Sequence, residues 1–166
     1  MSRGFVREGD QEEPPIIPPR AALPDGVINY VTPIGLKQLK NELEALENEI
    51  AQLSTTNETE RRRELTVLNG KLDLLQERIA AARVLDPEQQ PKDEIRFGAT
   101  VTYRTHLNKA INTFQIVGVD EADLKLNKIA FVAPIAVAIT GYKVGNVIDF
   151  KLGNETRKLE ILEIKY

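Results

Sequence analysis

The chain has no cysteine and no tryptophan, and only one histidine and one methionine. Without thiols, disulfides, thiolate zinc sites and cysteine nucleophiles are excluded. His106 alone cannot build a histidine-based metal cluster, and in its polar surroundings it reads as a solvated loop residue without a role. No apolar run reaches the roughly 18 to 20 residues that cross a bilayer, and the N-terminus MSRGFVREGDQEEPP lacks the apolar core of a signal peptide. The expectation is a cytoplasmic protein with no membrane partner. Excess positive charge is missing too: 22 basic against 25 acidic residues give a net charge of −3. Nothing global attracts a phosphate backbone, so a nucleic-acid role is expected only indirectly, through a protein partner.

What is present begins with 42% hydrophobic residues in 166, enough for an ordinary core with an extension. Residues 1–30 carry Pro14, Pro15, Pro18, Pro19 and Pro24, which predicts an extended arm without a core of its own; such an arm can be a peptide ligand for a partner, but the simpler expectation is that it is flexible or lies along its own protein. Two ladders follow. The first is Leu36, Leu39, Leu43, Leu46, Ile50 and Leu53; the second is Leu65, Leu68, Leu72, Leu75, Ile79 and Ala82. Both step alternately by three and four residues, the spacing that keeps one apolar seam facing a partner helix.

Thr32-Pro33 is a helix start, with a hydroxyl to cap free N–H groups and proline at the first helical position. Helix one is expected to run to about Leu53, a length of roughly 30 Å at 1.5 Å per residue. Ser54-Thr55-Thr56-Asn57 breaks it, and Asn57 or Thr56 can cap a second helix expected to reach about Arg83. With so short a break, the two seams are buried by an antiparallel hairpin spanning 31–86.

After a linker over 87–94, the period changes to two. Phe97–Tyr103, Thr113–Val119, Lys128–Val132, Val147–Leu152 and Lys158–Ile164 are short β-rich runs. They predict a small, mostly antiparallel sheet of four or five strands over 95–166. Ala133–Gly141 is long enough for two helical turns, with Ile135, Val137 and Ile139 as candidate core residues. The fold class is therefore α+β, a coiled-coil hairpin followed by a β domain with one short helix.

Tyr30–Leu36 leading into the hairpin, Ala82–Asp86 closing it, Phe97–Val101, Phe114–Gly118, Ala133–Ala136 with Gly141, and Val144-Gly145 occur in an order that resembles the bacterial GreA/GreB transcription elongation factors. The resemblance covers residues 30–166. It implies a C-terminal domain like FK506-binding proteins (FKBP-like) that binds RNA polymerase, with Pro134, Ile135, Ala136, Thr140 and Gly141 in the contact region. It also implies a coiled coil inserted into the polymerase secondary channel. At its tip, a D-x-x-E pair helps hold a magnesium ion of the polymerase for hydrolysis of backtracked RNA. No cofactor of the chain's own is implied, only a share in that magnesium.

The tip departs from this pattern. If Glu58 takes the place of the family glutamate, Thr55 stands at the aspartate position, and no two acidic residues between Ser54 and Glu64 are three apart. Glu58, Glu60 and Glu64 are the remaining candidates. Asn57, Arg61, Arg62 and Arg63 are the candidate channel contacts, and three consecutive arginines cover most of a helix circumference. The missing pair counts against stimulation of transcript cleavage. The expectation is a monomeric polymerase regulator that is not itself an enzyme. Two rivals are a peptidyl-prolyl isomerase-like domain and a non-enzymatic coiled-coil adaptor that self-associates.

Overall fold

A computed structural model describes residues 13–166. The first part of the arm expected over 1–30 lies outside the described residues. A three-residue strand β1, Asn29–Val31, leads into helix α1, Pro33–Ala51. Helix α2, Glu58–Ala80, runs back beside α1 and ends in strand β2, Ala82–Val84. The sheet unit then contributes β3 Thr100–Thr105, β4 Ile111–Val117, β5 Lys128–Ala130, helix α3 Pro134–Ile139, β6 Val147–Leu152 and β7 Glu155–Lys165.

The starts of both long helices follow from their caps. Thr32 accepts the Gly35 N–H at 2.9 Å while Pro33 fills the first helical position. Asn57 Oδ1 accepts from Thr59 N at 3.0 Å and Glu60 N at 3.2 Å. Along the seam Leu39 and Leu75 are buried, with Leu36, Leu43, Leu46, Ile79 and Ala82 packed around them. Both ladders thus face inward, and Leu68 joins them toward the turn.

Helix two stops short of the expected Arg83, because Ala82–Val84 is drawn into a parallel ladder with β1, Asn29 opposite Ala82 and Val31 opposite Val84. Helix one likewise ends at Ala51 rather than Leu53. The two ends of the helical pair are therefore fastened to each other. Asn29 adds its Nδ2, donating to the Arg78 carbonyl at 2.9 Å.

The five-stranded sheet has the order β5-β4-β3-β7-β6. Three of its pairings are antiparallel, and β5 lies parallel to β4. A register shift between Thr102 and Tyr103 interrupts the β3–β7 ladder, a local device that bends a sheet. Its core is Ile95, Val101, Phe114, Ile116, Leu159 and Ile161 with Ala136 and Ile139 of α3. Of the expected core residues in this helix, Val137 is a correction: it is 63% exposed, because the faces buried through Ala136 and Ile139 leave it on the far side.

Helical pair and sheet meet at an aromatic joint. Tyr30, Phe97 and Phe131 sit with ring centroids 5.6 to 6.0 Å apart, two of the three contacts edge-on. Beside it, Thr32 Oγ1 donates to Glu121 Oε1, and Glu121 Oε2 accepts from Lys128 Nζ at 3.1 Å. Buried Glu121 is thus fully engaged.

The described part of the arm, from residue 13 onward, lies along its own protein. Pro15 borders the helices near their turn with Leu53, Arg63 and Glu64. Ile17 packs over Gly70, and farther down Arg78 Nη2 donates to the Ala21 carbonyl at 2.7 Å. An Asp25-Gly26 turn, with Gly26 at φ +79°, then brings the chain round to β1.

Candidate functional site

The tip is built from the turn Gln52–Asn57 and the first two turns of α2. Helix α1 ends when the Gln52 N–H bonds back to Asn48 O at 3.0 Å. Ser54 to Asn57 then have side chains that compete with helical hydrogen bonding. Every residue from Thr56 to Glu64 is exposed, as expected once the ladder is extended backwards onto Glu58 and Arg61.

Among the acidic residues, Glu58 and Glu60 lie in the first turn of α2, where they complement the positive end of its dipole. Two positions apart on a helix, they point to nearly opposite sides. Glu64 is brought back to the turn, where its Oε2 accepts the Thr55 hydroxyl at 2.7 Å. The structure therefore joins Glu64 to Thr55, the residue at the aspartate position, and not to another carboxylate. That contact was not expected from helix periodicity, since it spans the turn.

Arg61, Arg62 and Arg63 are all exposed, and Arg63 also lines a shallow groove together with Pro15 of the arm. No group of three or more Asp, Glu, His or Cys able to hold a metal exists among the described residues. The tip brings together no carboxylate pair suited to a shared magnesium: Glu58 and Glu60 diverge, Glu64 is hydrogen-bonded to Thr55, and three arginines separate Glu60 from Glu64 along the chain. What it offers is a mixed-charge, hydrogen-bonding surface whose exposed guanidinium groups suit carboxylates and phosphate oxygens.

The second candidate surface is α3 and the loop after it. Pro134 begins the helix without a side-chain cap, and Thr140 Oγ1 donates to the Ala136 carbonyl at 2.6 Å. Gly141, at φ +91°, turns the chain so that its N–H reaches Ile95 O at 2.7 Å, and Ile95 N returns a bond to Tyr142 O at 2.8 Å. These bonds fasten the helix to the start of the sheet unit. Pro134, Thr140 and Gly141 are exposed and Ile135 is half-buried, but Ala136 is fully buried against the sheet. As a surface contact Ala136 is therefore a correction: its side chain packs inward. Val137, Tyr142 and Val144 take the outer positions, at 63%, 41% and 57% exposure. Their signal in the sequence was the two-residue offset of Val137 from Ile135 and Ile139.

Three ionisable groups in and beside the sheet unit are shifted, and for Tyr103 of β3 burial is the main cause of a raised phenol pKa. Burial raises the Tyr166 phenol above its ordinary value, with the hydrogen bond from Arg96 N working against that rise. The hydrogen bond from Lys143, first among its causes, lowers the exposed Asp93 carboxyl. His106 is exposed, with Nε2 3.8 Å from Glu160 Oε2.

Among known proteins, residues 90–166 match the family described as transcription elongation factor, GreA/GreB, C-term. The transcription elongation factor GreA of Trichlorobacter lovleyi is 38% identical over 99 residues, 60% of this chain and 63% of that protein. The GreA of Christiangramia forsetii is 30% identical over 152 residues, 82% of this chain and 96% of that one. The chain thus spans under two thirds of the first relative and nearly all of the second. Among solved structures, the prokaryotic transcription elongation factor GreA/GreB from Nitrosomonas europaea covers 84% of this chain and 99% of its own, at 23% identity and a TM-score of 0.41. No helix among the described residues is long and apolar enough to cross a membrane.

Proposed function

Because the chain belongs to the GreA/GreB family of transcription elongation factors, we propose that it regulates transcript elongation by binding RNA polymerase and is not an enzyme itself. The helical pair, 31–86, is read as a coiled coil that enters the polymerase secondary channel. A linker, 87–94, joins it to an FKBP-like domain, 95–166, whose exposed Pro134, Val137, Thr140 and Gly141 form the docking face. The protein acts as a cytoplasmic monomer and meets nucleic acid only inside the polymerase complex.

The observation that carries this reading is the tip itself. A solvated turn presents Asn57, Arg61 and Arg62 outward, while Thr55 and Glu64 satisfy each other at 2.7 Å. Such a tip can enter an acidic channel and contact carboxylates or RNA phosphates. It lacks a convergent carboxylate pair, so it occupies the channel without promoting hydrolysis. The test is to add the protein to a stalled, backtracked elongation complex and follow both binding and RNA length. Binding with RNA of unchanged length is expected; absence of binding overturns the proposal.

A further inference from the structure

Helix α2 carries a glycine in its interior, Gly70, where glycine is a poor choice relative to alanine. A Cβ built there would lie 2.8 Å from Ile17 Cγ1 and closer still to its Cδ1. Gly70 is the seat of an arm residue. Three positions on, Arg20 forks onto Glu42 of α1, Nη1 to Oε1 at 2.6 Å and Nη2 to Oε2 at 3.0 Å. The same guanidinium reaches Asp120 of the sheet unit, Nε to Oδ1 at 3.1 Å. Asp120 also faces Arg78 of α2, with Nη1 to Oδ2 at 3.3 Å.

These contacts are mechanically unequal. Besides the aromatic joint and the Thr32–Glu121 contact at the base, Arg78 joins α2 to the sheet unit through Asp120. Arg20 ties α1 to the same carboxylate through Glu42, ten residues farther along the helix than Thr32, which braces the angle that the base contacts leave free to rock. The Arg20 and Asp120 side chains are 17% and 7% exposed, so the pair is shielded from much of the screening that weakens surface ion pairs. Glu42 and Asp120 together hold the Arg20 pKa above its ordinary value, the Glu42 hydrogen bond contributing most.

We infer that the segment Pro15–Ala21 is a built-in clasp, seated on Gly70 and latched through Arg20, that holds the helical pair at one angle to the sheet unit. The clasp stands on intramolecular contacts and does not depend on what the protein binds. Because the chain has no cysteine, pairs of introduced cysteines can carry nitroxide labels at chosen positions only. One pair, Ile16→Cys with Thr56→Cys, reports the arm against the tip; a second, Thr56→Cys with Asn154→Cys, reports the helical pair against the sheet unit.

Electron–electron distance measurements on the full chain should give one narrow distribution for each pair. Gly70→Ala, which favours helix but fills the Ile17 seat, should broaden both. Arg20→Ala should broaden the second at least twofold in width while circular dichroism keeps the same helix content. The clasp is overturned if Gly70→Ala leaves the first distribution narrow, or if the second stays narrow in either variant.

Discussion

Thr32 serves two groups with one hydroxyl, accepting from Gly35 N at 2.9 Å and donating to buried Glu121. Gly35 is part of this arrangement, since a Cβ there would lie 2.6 Å from Glu121 Oε1. Thr32→Ala removes a helix cap and leaves a buried carboxylate short of a donor, so urea unfolding should show a loss of about 2 to 4 kcal/mol. Tyr166 acts similarly at the other end of the chain: its hydroxyl donates to Glu94 O at 2.6 Å and accepts from Arg96 N at 2.7 Å. Tyr166→Phe should cost about 1 to 3 kcal/mol at neutral pH. Its folded pKa is raised, chiefly by burial. The contribution of the neutral phenol is thus present below the unfolded value of about 10 and lost as pH rises through the folded pKa. The stability gap between wild type and Tyr166→Phe should narrow above that value; a constant gap in urea titrations would contradict it.

At the scale of elements, the two ladders were legible because heptad spacing is a local signal, and Leu39 and Leu75 occupy the seam it marks. The capping residues Thr32 and Asn57 were legible for the same reason. What local pattern cannot carry is pairing between distant segments. The β1–β2 ladder, which ends α2 before Arg83, joins residues over fifty positions apart in the chain, and the seat of Ile17 on Gly70 has no periodic signature. The tip was legible as a list of residues, but not as the Thr55–Glu64 hydrogen bond.

Three variants test these elements. Leu75→Ala, at a fully buried seam position, should cost about 2 to 5 kcal/mol by chemical denaturation. Thr55→Asp restores an acidic residue three before Glu58 and removes the partner of Glu64, so RNA shortening in a backtracked complex should rise above that of wild type. If the tip works through its cations, changing Arg61, Arg62 and Arg63 together to alanine should abolish the effect on elongation while polymerase binding persists in a pull-down. Unchanged elongation would exclude the tip as the acting surface.

Across the whole molecule, two cores are joined by the Tyr30, Phe97 and Phe131 rings and by the Thr32–Glu121 contact. Tyr30→Ala removes the ring from the helical side of that joint. Thermal unfolding followed by helix dichroism and by tyrosine fluorescence should then separate into two transitions where wild type shows one. The ladder at the base has a different consequence. Since Asn29 and Ala82 are held opposite each other, residues added to one helix must be matched in the other or the register at the base is broken. Matched insertions of seven residues per helix would each lengthen the protrusion by about 10.5 Å and leave the sheet unit untouched. The base thus makes the helical pair a ruler, whose reach can be reset in whole heptads without redesign of the sheet unit.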